Sequence, residues 1–294
     1  MRRRFATLDV FTDRPFAGNP LAVVLEPQGL EGDAMQAIAR EFSHPETVFV
    51  FAPADPGHRA RLRIFTPARE LPFAGHPTVG TAVLLALSDR ATPGTDLVLE
   101  EGIGPVRCTL EAVNAERGSA RFALPQLPAQ AGSAPDAAAA AAGLALAPSD
   151  IDGRPARWSA GNPIIFVSIR GLAAMARCRP DPVKFDAAFG ATGIAYVLCK
   201  ETAEPGHHVH ARMFAPGLGV PEDPATGSAA AAFAGLLAAQ GRYANGDHTV
   251  TIEQGYEMGR PSLMELSFAL RGGALVSASV GGGAVVVTEG TIEA

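Results

Sequence analysis

Ala17-Gly18-Asn19-Pro20, followed by the apolar run Leu21-Ala22-Val23-Val24-Leu25, returns later in the chain as Ala160-Gly161-Asn162-Pro163 followed by Ile164 to Ile169, an offset of 143 residues. Three further segments return in the same order. Arg63-Ile64-Phe65-Thr66-Pro67 reappears as Arg212-Met213-Phe214-Ala215-Pro216 at an offset of 149. Gly75-His76, ahead of a small helix-favouring stretch, reappears as Gly227-Ser228 at an offset of 152. Leu97-Val98-Leu99-Glu100-Glu101-Gly102 reappears as Val250-Thr251-Ile252-Glu253-Gln254-Gly255 at an offset of 153. A slow drift from 143 to 153 is what small loop insertions produce in a duplicated domain, and four matches in register predict two similar halves.

Each half reads as strand, turn, strand, helix, strand, a central helix, then more strands. Ala6 to Val10 and Leu21 to Leu25 are β-rich runs split by Pro15 and by Gly18-Asn19-Pro20, the signature of a hairpin-like reversal. Residues 33–42 place Met35, Ile38 and Phe42 at helical spacing behind Asp33. Glu46 to Phe51 and Arg61 to Phe65 are strands. Pro77 to Leu87 predicts a helix apolar nearly all round, and Ala229 to Ala239 has the same character, so each must be wrapped by the strands of its own half. Pro125 to Ser149 carries Pro125, Pro128, Pro135 and Pro148 around the run Ala137 to Ala142, itself a short helix. The expected domains are therefore 1–126 and 127–294, with the last strand free to pack back on the first domain.

The 294 residues are enough for two domains of ordinary size, and 47% hydrophobic against 18% charged residues supplies packed cores. A net charge of −6 with no basic stripe, and only 6% aromatics, argue against nucleic acid as a partner. Cys108, Cys178 and Cys199 are odd in number and widely spaced, which suits neither a disulfide framework nor a zinc knuckle and fits a reducing cytosol. Met1-Arg2-Arg3-Arg4 is followed by no apolar signal core, and nowhere do about 18 apolar residues run together. The expectation is a cytoplasmic protein without a membrane partner.

Two buried helices, each beginning at a glycine, imply a site if the halves face each other across a pseudo-two-fold axis. Helix starts expose unpaired N–H groups and the positive end of the dipole, so a pair of them seats a carboxylate. Gly75 and Gly227 allow close approach, and His76 and Ser228 occupy matching first-turn positions, with Pro77 suited to N1. The plainer alternative makes the glycines turn residues and Ser228 an N-cap. Asp223 shares a short loop with this seat, where it is either a substrate contact or an Asp-Pro turn former. Glu46 stands ahead of Thr47-Val48-Phe49-Val50-Phe51, where desolvation would raise its pKa toward the range useful for moving protons; a surface glutamate is the alternative. At an offset of 148 its counterpart is Ile194, so the duplication supplies no second base. His207-His208-Val209-His210 resembles a metal tract but has no acidic or thiol ligand at a fitting interval, so no metal is assigned. Gly102-Ile103-Gly104 lacks the context of a dinucleotide site, and Gly-Ser-Ala-Ala is not a nucleophile elbow.

Asp9-Val10-Phe11-Thr12 through Ala17-Gly18-Asn19-Pro20, Glu46-Thr47-Val48-Phe49, Phe73-Ala74-Gly75-His76-Pro77-Thr78, Asp223-Pro224-Ala225-Thr226-Gly227-Ser228 and Gly259-Arg260-Pro261-Ser262 together resemble the phenazine-biosynthesis PhzF-like isomerase family. The resemblance spans almost the whole chain. It implies a diaminopimelate-epimerase-like α+β fold: two similar halves related by pseudo-two-fold symmetry, each a curled, mostly antiparallel, barrel-like sheet around a central apolar helix, with the site in the cleft between them. It further implies a cofactor-free isomerisation in which Glu46 shuttles a proton, with Gly75, His76, Asp223, Gly227 and Ser228 lining a small carboxylate-bearing substrate, in a family where homodimers are common. Ser43-His44-Pro45 departs from the family's more usual Asn-Leu-Ser. Racemases and epimerases of this fold use two cysteines, one ahead of each helix-start glycine. Ala74 and Thr226 hold those places, so inversion through two thiols is not available. A non-catalytic small-acid binding or interaction module on the same fold is the competing reading.

Overall fold

Gly18 turns the chain where the sequence expects a reversal: it has φ +64°, and a Cβ there would lie 2.3 Å from the Val10 carbonyl oxygen. Strands β1 (Arg2–Val10) and β2 (Asn19–Leu25) consequently pair antiparallel, with Phe5 opposite Val24 and Val10 opposite Asn19. The computed structural model describes residues 1–114 and 116–294. The chain divides into two units, residues 1–125 together with 280–294, and residues 126–279.

In the first unit, α1 (Gly32–Phe42) crosses from β2 to β3 (Glu46–Phe51), which pairs parallel with β2. Its Met35 and Ala39 pack on Val24, Phe49 and Phe65. β4 (Ala60–Phe65) returns antiparallel to β3 and is continued by the short β5 (Glu70–Leu71). Then comes α2 (Gly75–Asp89), in which every residue from Gly75 to Ala86 is buried. It touches β1, β2 and β3, and also β6 (Asp96–Glu101), β7 (Gly104–Val113) and β8 (Arg117–Ala123). A helix without a polar face is stable only when surrounded in this way.

The second unit opens with β9 (Ala129–Gln130) and α3 (Ala137–Gly143), the helix expected of the alanine run, capped by Asp136, whose carboxylate accepts from the Ala139 N–H at 2.7 Å. β10 (Ala156–Ser159) and β11 (Pro163–Ser168) form the counterpart of the first hairpin. The crossover to β12 (Ala195–Cys199), again parallel, runs through α4 (Gly171–Arg177) and α5 (Pro182–Phe189). β13 (Val209–Ala215) and β14 (Val220–Asp223) lead into α6 (Gly227–Ala239), which packs on β9, β10, β11 and β16 (Ser262–Arg271), the partner of β15 (Gly246–Gln254). Finally β17 (Ala274–Glu293) enters the first unit, where it pairs with β1 from Arg2–Glu293 to Val10–Ala284, and with β8.

The duplication holds at the level of single strand pairs. Ala60 is level with Leu99 between parallel β4 and β6; Val209 is level with Ile252 between parallel β13 and β15, so the same offsets of 149 and 153 recur in space. The insertions behind the drift are also located. Leu21 to Glu46 takes 25 residues and Ile164 to Ile194 takes 30, the excess lying in the α4–α5 crossover. Among the described residues no helix is long and apolar enough to cross a membrane.

Candidate active site

Glu46 is delivered by a sharply ended helix. Ser43 closes α1 in the left-handed region at φ +54°, donating its N–H to the Ala39 carbonyl, and Pro45 forbids a further turn. Glu46 therefore becomes the first residue of β3, level with Leu21. Its side chain is only 16% exposed, so the surface-glutamate alternative does not describe it. Ile194 occupies the place matching Glu46, since Ile165 is level with Ala195 in the equivalent parallel pair.

His76 is the second residue of α2, and its Nε2 lies 3.3 Å from Glu46 Oε2. Burial pushes the imidazole down to about 3, against the bond to the Pro20 carbonyl that raises it and with nearby His44 lowering it further. The ring is therefore neutral. Because it donates to Pro20, the nitrogen turned to Glu46 carries a lone pair. The helix starts at Gly75 after extended Ala74, which puts Pro77 at the third helical position and not the first. That position is still in the first turn, where a missing N–H costs no helical hydrogen bond.

In the second unit Asp223 ends β14 and is buried. The Thr226 hydroxyl donates to its Oδ2 at 2.5 Å, and Gln254, wholly buried at the end of β15, donates to the Asp223 carbonyl at 2.7 Å and to Thr226 Oγ1 at 3.0 Å. Gln254 Oε1 in turn accepts from the Thr226 N–H and from the Tyr196 hydroxyl. Asp223 is thus a fixed member of a network and more than a turn former. Gly227 and Ser228 are the first two residues of α6; Thr226 is the N-cap, so Ser228 is not one. In both helices the first-turn amides of Gly75, His76, Gly227 and Ser228 have no partner within the helix and remain able to hold an anion.

Thr78, Glu101, Tyr196 and Gln254 do not stand out in the sequence, and Thr226 does so only as the occupant of a place that holds cysteine in racemases of this fold. The repeat held part of the signal, since Glu101 and Gln254 occupy one position of it. The positions before the helix-start glycines are Ala74 and Thr226, and the three thiols lie elsewhere: burial pushes Cys178 and Cys199 up to about 12 and Cys108 higher still. The histidine tract has a structural task. His207 and His210 both bond the buried Glu253 through Nδ1 at 2.6 Å, and Ala203 and Glu204 donate their N–H groups to it. Glu100 is bonded in the same way by Ala54, Asp55 and His58 in the first unit, a bracket whose donors repeat at the 149 offset and whose glutamate repeats at 153. Among the described residues no group of three or more His, Cys, Asp or Glu is arranged to hold a metal ion.

A family model described as phenazine biosynthesis-like protein matches residues 8–290. An uncharacterized isomerase of Mesorhizobium japonicum is 46% identical over 303 aligned positions covering 99% of this chain and 98% of the relative. The trans-2,3-dihydro-3-hydroxyanthranilate isomerase of Pseudomonas aeruginosa is 36% identical, covering 98% of each chain. Among solved structures, a PhzF-family phenazine biosynthesis protein from Bacillus anthracis superposes with a TM-score of 0.88 over 100% of both chains at 24% identity, a likeness of fold.

Proposed function

The chain belongs to the phenazine biosynthesis-like isomerase family, and we propose that it relocates a proton within a small carboxylate-bearing metabolite using Glu46 as its one acid/base group and no cofactor. The observation that carries the reading is the approach of Glu46 Oε2 to the neutral His76 Nε2 at 3.3 Å, beside the open amides at the start of α2. Glu46 as carboxylate takes a proton from carbon. The C–H bonding pair spreads into the adjacent unsaturated system, the double bond moves, and Glu46 returns the proton to a second carbon on the same face. Atoms and oxidation state balance, so an acid/base group and a stabiliser of negative charge suffice. The lone pair of His76 gives the proton held by Glu46 an acceptor between the two transfers. The Gly75 and His76 amides stabilise the substrate carboxylate or the delocalised charge. Asp223, Gly227 and Ser228 contribute further binding contacts.

The test is Glu46→Gln, which keeps shape and removes the base. Turnover of trans-2,3-dihydro-3-hydroxyanthranilate, or deuterium exchange into a panel of small unsaturated and α-amino carboxylic acids in heavy water, should fall about a hundred- to ten-thousandfold while ligand binding stays near that of the wild type. An active Glu46→Gln enzyme would rule out the single-glutamate mechanism. A wild type that binds such acids without exchanging their protons would point to a binding module.

A further inference from the structure

The duplication leaves one unexplained asymmetry: where the second unit has the amide of Gln254, the first has the carboxyl of Glu101. Both end the strand that follows the central helix, β6 or β15, and both touch a threonine at a helix start. In the second unit the order of donation is plain: the Gln254 amide donates to Thr226 Oγ1 and the Thr226 hydroxyl donates to Asp223. In the first unit Thr78 Oγ1 lies 2.8 Å from the Ala74 carbonyl oxygen and 2.7 Å from Glu101 Oε1. A hydroxyl has one proton. Given to Ala74, it leaves Oγ1 an acceptor, and the proton in the second contact must come from Glu101. Given to an ionised Glu101, it leaves two oxygens facing each other at 2.8 Å without a proton.

We propose that Glu101 and Gln254 are equivalent positioning residues, one behind each helix start, and that Glu101 serves as a neutral, proton-donating carboxyl that does for Thr78 what the Gln254 amide does for Thr226. Its surroundings agree. Glu101 is 7% exposed and its Oε2 is buried without a hydrogen-bond partner, a poor setting for a full charge. Among the described residues no cation pairs with it. Arg63 on β4 is taken by two bonds to Glu70 of β5, Arg61 lies over the Phe51 ring, Glu100 is bonded to His58, and the group of β7 that interacts with Glu101 is the buried thiol of Cys108. Burial pushes Glu101 up to about 8, only partly offset by its contact with Thr78. The consequence for function rests on the reading that the start of α2 holds the substrate's charge: Thr78 ties that start to β6 through Glu101, so the seat keeps its shape only while the proton is present.

The experiment compares thermal unfolding of wild type, Glu101→Gln and Glu101→Ala from pH 5 to 9. A carboxyl protonated to a higher pH in the folded than in the unfolded chain loses stability for the fold as pH rises from its unfolded value toward about 8. Glu101→Gln has no proton to lose. It should match the wild type near pH 5, and its folding constant should then gain about tenfold on the wild type for each pH unit until the gap levels near pH 8. Glu101→Ala, with no donor to Thr78, should be less stable than Glu101→Gln throughout. Parallel profiles for wild type and Glu101→Gln would overturn the proposal. Carbon-13 titration of wild-type protein labelled at the glutamate carboxyls needs no variant and should show one carbon still in its protonated position at pH 7; all glutamates titrating in the usual carboxylate range would equally overturn it. Neither measurement needs a substrate, so failure here is separable from failure of the isomerase reading. Where turnover is measured, Glu101→Gln should keep kcat/KM within about threefold and lose any fall near pH 8, whereas Glu101→Ala should lose at least about tenfold.

Discussion

At the scale of single residues, the proposed chemistry depends on His76 being neutral, and this has a consequence for acid stability. Its folded value near 3 is below the ordinary 6.5, so between those limits the unfolded chain binds a proton that the folded chain refuses. Stability should therefore rise with pH across that window and be lost as pH falls through it, at up to about 1.4 kcal/mol per pH unit. Unfolding of wild type and His76→Asn from pH 4 to 7 checks this: the variant should show the shallower acid limb, and identical slopes would mean that His76 charges freely in the fold. Glu46 and His76 could be picked out in the sequence because each breaks a local pattern, a carboxyl heading an apolar strand and an imidazole in the first turn of an apolar helix. What fixes which His76 nitrogen carries the proton could not, since the Pro20 carbonyl that accepts it lies 56 residues away and is carried there by the hairpin of β1 and β2. The Thr226–Gln254 pair was hidden for the same reason: neither residue is unusual in its own stretch, and only the pairing of β15 beside β13 brings them together.

At the scale of elements, α2 and α6 were legible because an all-apolar helix has one possible environment, whereas α4 and α5, at 7 and 8 residues, are too short to establish a period. β5 and β14 escaped notice similarly, being only 2 and 4 residues long. The fit of α6 also explains a residue of low helix propensity within it. Gly235 faces the Trp158 ring of β10, where a Cβ would lie 2.5 Å from Cε3 and 3.1 Å from the Pro128 side chain. Ordinarily a glycine in a helix interior costs about 1 kcal/mol relative to alanine. Here any larger residue must push a rigid ring out of a packed site, which costs about 1–3 kcal/mol or more. Gly235→Val should consequently lower the melting temperature by several degrees, read by calorimetry against Gly32→Ala in α1, where the backbone is not left-handed and a Cβ would lie 3.6 Å from the Arg63 guanidinium. A variant as stable as wild type would show that β10 and α6 are not closely packed.

At the scale of the whole molecule, the duplication could be read from four sequence matches because strand registers conserve spacing wherever loops do not change length. The sequence allows the last strand to pack back on the first domain, as it does, but not its partner to be read, because nothing in Val280 to Ala294 names one. Alternation along this segment is weak, with Gly281-Gly282-Gly283 near its start, and its place is decided by the long register with β1 from Arg2–Glu293 to Val10–Ala284. Two of those positions add side-chain bonds, Arg2 to Glu293 at 2.8 Å and Thr7 to Thr288 at 2.7 Å, but these are exposed and contribute little beside the backbone ladder and the burial of Ala284 and Val285. The first unit is therefore discontinuous in sequence and the second is not. Residues 126–279 expressed alone should fold cooperatively, since that fragment carries α6 with every strand around it. Residues 1–125 alone should not, because β1 and β8 lose the partner they share and the apolar strand edge invites aggregation. Supplying residues 280–294 ahead of Met1 through a short glycine-rich linker, at the end where Ala294 and Met1 already exchange hydrogen bonds, should restore a single unfolding transition. Amide exchange gives the decisive comparison: protection along β1 that is equal with and without residues 280–294 would show that the last strand merely decorates a unit already complete.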